Sequence, residues 1–149
     1  MYPTLFTIGK WSVPTYTVLL DLGLILGLII ITILHELVHG GFFWIVTRQP
    51  PKFGFQGAYA FAAAPEWYIR REAYFLIGAA PLVIISIVGL VLIPVIPAQF
   101  LFIWLVCLLM NGSGSVGDVY VLAELIRQPV TAMIQDRGDM ISIYAEATA

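Results

Sequence analysis

The sequence predicts an all-α membrane protein with about three transmembrane helices and a small β-hairpin near the cytoplasmic face. Three observations carry that expectation. Of the 149 residues, 60% are hydrophobic and only 11% are charged, with a mean hydropathy of +0.95. A water-soluble domain of this size needs more polar surface to cover its core, whereas lipid accepts an apolar exterior. Three apolar stretches approach or exceed the roughly 20 residues that cross a bilayer core. Between the first two lies a loosely alternating aromatic stretch punctuated by proline and glycine, as paired strands require.

The first span covers residues 18–34, interrupted only by Asp21 and Thr32, with helix continuing through Val46. Residues 47–72 then change character. Arg48, Lys52, Arg70 and Arg71 appear, with Pro50, Pro51, Gly54, Gly57 and Pro65 as breakers, and residues 53–61 read as a strand or hairpin at the membrane surface. A second span covers 73–93 and contains Pro81. Pro94 and Pro97 make a short turn, and a third span begins near Ala98. It is expected to break over 111–115 (Asn-Gly-Ser-Gly-Ser) and to resume over 116–126, because irregular backbone at membrane depth needs a protein or cavity environment. Residues 140–144 read as a short strand.

The chain is long enough for a single domain, 1–149, with 130–149 a polar cytoplasmic tail. The net charge of −2 offers no basic field for nucleic acid. One cysteine, Cys107, permits no internal disulfide and reads as a packing residue. The start does not resemble a cleaved signal peptide: Lys10 precedes Trp11, Ser12 and Tyr16, and no small-residue cleavage site follows the apolar run. The 47–72 loop holds four of the seven Lys and Arg residues, and Arg127 and Arg137 lie in the tail. The positive-inside rule therefore places loop and tail in the cytoplasm and the N-terminus outside, in a multi-pass cell-membrane protein. Arg70 and Arg71 read as interfacial anchors with their heads in water, and Trp11, Tyr16, Trp67 and Tyr68 as an aromatic belt.

The chemistry concentrates in His35-Glu36-Leu37-Val38-His39. Residues four apart share a helix face, so both imidazoles can reach one metal ion, with Glu36 placed to take a proton from a metal-activated water. These are the only two histidines in the chain. They stand at the end of an apolar helix, where ionisable groups are costly and default to function. Gly40 and Gly41 follow, leaving room beside the metal or for another helix. A catalytic zinc takes three protein ligands, so a third must come from elsewhere. Asp21, Glu66, Glu72, Asp118, Glu124, the tail acids and Cys107 are the candidates. At 1.5 Å per residue His35 lies about 27 Å below Thr17, and Asp118 about 30 Å below Ala98, so the two reach similar depth. Asp21 is about 21 Å from His35 along one helix, out of reach. Asp118 leads and Glu124 is its rival. Asn111, at the expected break, is either a helix C-cap or a donor to substrate.

An H-E-x-x-H on the first core helix, followed later by Asn111 and Asp118, resembles the site-2 protease class of intramembrane zinc peptidases. More closely, the chain resembles a family of small zincin membrane peptidases. The matching pieces are His35-Glu36-Leu37-Val38-His39-Gly40, Gly57-Ala58-Tyr59-Ala60 with Pro65, Gly78-Ala79-Ala80-Pro81 and Gly117-Asp118, within residues 30–146. In site-2 proteases the aspartate precedes a glycine, whereas here Gly117 precedes Asp118. The resemblance implies that His35, His39 and Asp118 hold Zn2+, that Glu36 activates water, and that a peptide or membrane-protein substrate enters from the bilayer. Gly57 and Tyr59, on the hairpin, and Asn111 are then the expected substrate contacts. The expected function is a membrane-embedded zinc metalloendopeptidase. The alternatives are a zinc-binding membrane protein without catalysis and a metal-dependent lipid hydrolase.

Overall fold

A long run rich in Leu, Ile and Val, with no proline after Pro14, builds the first helix, α1 (Thr15–Thr47). Its 33 residues extend about 50 Å, more than the bilayer core needs, so its ends project or it tilts. It stops at Arg48, which takes the left-handed conformation (φ 59°) and donates its N–H to the Trp44 carbonyl. The computed structural model describes residues 5–8, 11–57 and 59–145, with side chains from Pro14 onward. Lys10, Ala58 and the side chains of Trp11 and Ser12 lie outside the described residues. Ahead of α1, β1 (Leu5–Ile8) pairs antiparallel with β2 (Trp11–Pro14), a hairpin the sequence pattern did not announce.

The expected surface hairpin is present as β3 (Lys52–Gln56) and β4 (Tyr59–Ala63). Gly57 turns it with φ 61°, a conformation glycine adopts without a Cβ penalty. A second helix, α2 (Arg71–Leu92), carries Pro81 inside it. Two short proline-flanked turns lead into α3 (Leu101–Gly114) and α4 (Val116–Ile126). The break in the third span is narrower than expected. Helix persists to Gly114, because the N–H and Oγ of Ser115 both donate to the Asn111 carbonyl, at 3.0 and 2.9 Å, and hold the turn together. Three segments, Thr15–Thr47, Arg71–Val95 and Ala98–Ile126, are long and apolar enough to cross a bilayer. Their outward faces carry exposed Leu, Ile, Val and Phe, and the chain is a membrane protein.

Small residues set the helix crossings. A Cβ on Gly27 would stand 2.9 Å from Cys107 Sγ, so α1 and α3 meet there backbone to side chain. Gly40 admits the Phe53 ring and Pro51 rather than another helix, and Gly41 faces open space.

Residues 128–145 do not hang free as a polar tail. Ala132 and Ile134 are fully buried, and β6 (Met133–Asp136) pairs on one side with β5 (Ile69–Arg70) and on the other with β7 (Ile141–Tyr144). Phe43, Ile77, Leu125 and Ile134 form a core where α1, α2, α4 and this small sheet converge. Arg70 is exposed and paired with Glu72, but Arg71 turns inward, contrary to the anchor expectation. Its guanidinium donates to the Gln128 carbonyl just beyond α4 and lies 5.9 Å from the Phe75 ring centroid. A cation there complements the negative end of the helix.

Candidate metal centre

His35 and His39 lie one turn apart on the inner face of α1, both 8% exposed. Asp118, in the first turn of α4, comes across to meet them: Oδ2 lies 3.2 Å from His35 Nε2 and Oδ1 lies 3.3 Å from His39 Nε2. A carboxylate in a first helical turn also sits favourably in the helix field. One donor atom from each residue falls within 4.8 Å of the others, the only such metal-competent group among the described residues. Zinc bonds of 2.0–2.1 Å in a tetrahedron imply donors about 3.3 Å apart, close to the two nitrogen–oxygen separations, each of which is made by a different Asp118 oxygen.

The outer nitrogens are held as well. His39 Nδ1 lies 3.0 Å from the Ile77 carbonyl, and His35 Nδ1 lies 3.1 Å from Asn111 Oδ1. A carbonyl only accepts, so His39 carries a proton on Nδ1, which in the neutral ring leaves Nε2 as the ligand atom on the side of Asp118. Asn111 is only 2% exposed. Its Nδ2 donates to the Pro81 carbonyl at 3.4 Å, which turns Oδ1 toward His35 and fixes the same tautomer there. Second-sphere partners of this kind orient imidazole ligands. Both polar atoms of the Asn111 amide are thus engaged inside the protein.

These groups line a cavity of about 480 Å³. Glu36 borders it, its carboxylate facing the backbone of Ala62 on β4. Tyr59, Ala60, Phe61 and Ala62 form the hairpin wall, and β4 pairs only with β3, leaving its other edge without a partner strand among the described residues. Gly57 lies in the turn, outside the lining. Of the competing acids, Glu66 pairs with Lys52, Glu72 with Arg70 and Glu124 with Arg127, Asp21 is exposed on α1, and of the tail acids Asp136 borders the cavity outside the ligand group.

Sequence reasoning missed the opposite wall. Tyr74 Oη donates to Asp136 Oδ2 at 2.5 Å, and the Gly138 N–H donates to Asp136 Oδ1 at 2.8 Å. Both Tyr74 and Asp136 are buried and line the same cavity. Burial holds the Asp136 carboxyl above the usual carboxylate range, with its two donors pulling the other way. The only available signal was the alternation of Ala132 and Ile134 in a segment that otherwise reads as polar.

No curated protein and no solved structure matches the chain. A family described as "Putative zincin peptidase" matches residues 28–133, a stretch that holds His35, Glu36, His39, Asn111 and Asp118. That match takes in most of the molecule, so the chain belongs to this zincin peptidase family, whose chemistry implies zinc.

Proposed function

We propose that the protein is a zinc metalloendopeptidase that cuts peptide bonds within or beside the bilayer, in the manner of site-2 proteases. The observation that carries this reading is the meeting of two imidazole Nε2 atoms and one carboxylate beside Glu36 in a single cavity. His35, His39 and Asp118 would hold Zn2+, which supplies Lewis acidity, acidifying water and polarising a carbonyl. Glu36 takes the proton of the attacking water and returns it to the leaving amine, the work of a general base turned acid. Asn111 acts through His35 by holding its ring. The open edge of β4, with Tyr59 on it, receives the substrate as an added strand, which gives backbone hydrogen bonds without demanding a sequence. That edge favours a peptide over a lipid.

The basic residues beyond the ends of α1 and α4 and at the start of α2 support a cytoplasmic placement for that end of the molecule. His39 stands about 12 Å along α1 from Thr47, close enough for water to arrive from that side. The test uses purified protein in detergent micelles and a quenched fluorogenic peptide library. Glu36→Gln should keep zinc and lose cleavage by at least about 100-fold, the lower end of a general-base contribution. His35→Ala should lose both. Undiminished cleavage by Glu36→Gln would refute the assignment.

A further inference from the structure

In an α-helix the N–H of each residue bonds the carbonyl four residues earlier. Proline has no N–H, so Pro81 leaves the carbonyl of Ile77 without its helical donor. Ile77 is 1% exposed, and Pro81 is equally inaccessible. A buried carbonyl without a donor is costly, and water cannot easily repair it. The atom that fills the vacancy is His39 Nδ1, at 3.0 Å. The same proline's own carbonyl receives Asn111 Nδ2, and Asn111 Oδ1 faces His35 Nδ1. Both imidazole tautomers therefore trace back to carbonyls within one turn of a single proline.

We infer that Pro81 is a positioning residue of the metal centre: by breaking the hydrogen-bond ladder of α2 it reserves the Ile77 carbonyl for His39. This rests on the proposed zinc site but concerns a residue that touches neither metal nor substrate. The proline is tolerated inside a helix because the histidine supplies the missing donor. The histidine in turn is oriented because no backbone N–H competes for its acceptor. Any other residue at position 81 brings that N–H back. The carbonyl would then be shared, and the His39 ring would lose the constraint that presents Nε2 to Asp118.

The test is Pro81→Ala in the full chain in micelles, read by zinc affinity in a chelator competition and by 15N signals of the histidine side chains. Alanine favours helix, so the variant folds, and a thermal melt at or above that of the wild type verifies it. Zinc affinity should fall about 10- to 100-fold, the usual effect of removing a second-sphere partner, and the His39 signals should show a mixture of tautomers. Lactic acid at position 81, joined by an ester, lacks both the ring and the N–H; it should retain the affinity and single tautomer of the wild type. Pro81→Ala with undiminished affinity and an intact Nδ1–H tautomer would overturn the inference, as would an ester variant as impaired as the alanine. A wild-type protein without zinc affinity would instead sink the metal centre itself.

Discussion

Asn111 and Asp136 show how single residues around the cavity divide their work. Asn111→Ala removes the acceptor that orients His35 and leaves the buried Pro81 carbonyl without that donor. Zinc affinity should drop about 10- to 100-fold, measurable by chelator competition, while the fold persists. Asp136 contributes a pH dependence. Because burial raises its folded-state pKa, the native chain holds a proton more tightly than the unfolded chain does. Its contribution is therefore most favourable below the ordinary carboxylate value and is lost as pH rises through the folded one. Melting temperature in micelles should decline across that window, and Asp136→Asn should flatten the decline. An unchanged slope in the variant would remove Asp136 as its source. At this scale the histidine pair was legible, because helical spacing alone puts His35 and His39 on one face. Asp118 was legible through depth. The Tyr74–Asp136 pair was not, since only the pairing of β5 with β6 brings together residues so distant in the chain.

Among the elements, the β3–β4 hairpin is fixed to α1 by a close approach at Gly40, where a Cβ would run into the Phe53 ring and reach within 3.2 Å of Pro51. Gly40→Ala should displace the hairpin and cost about 1–3 kcal/mol, as overpacking does. Gly41→Ala, one residue on and facing open space, should stabilise the helix by up to about 1 kcal/mol. Thermal denaturation of the two variants side by side checks the opposition. Equal effects would mean that the hairpin is not seated on Gly40. The hairpin itself was readable from its alternation and its turn glycine. The three apolar spans were readable from length. The inward Arg71 was not: sequence shows a basic pair at a span edge, and only the placement of the α4 end tells which guanidinium turns in.

For the whole molecule, the segment after α4 is structural. Truncation after Arg127 removes Ala132, Ile134 and the strand that covers Ile69, so the shortened chain should lose its cooperative melt rather than merely shed a tail. A truncated chain with the melt of the intact one would show that the sheet is ornamental. Composition could not reveal this, because a two-residue strand pairing with a four-residue one leaves almost no pattern in sequence.

Pairing of β5 with β6 also orders events during biogenesis. Every proposed ligand up to Asp118 is synthesised before the wall bearing Asp136 and Gly138, which must travel back to the start of α2. A nascent chain halted between those points would bear a cation-ready cluster open to its surroundings. That chamber closes only once residues 133–138 have joined the chain and β6 has paired with β5.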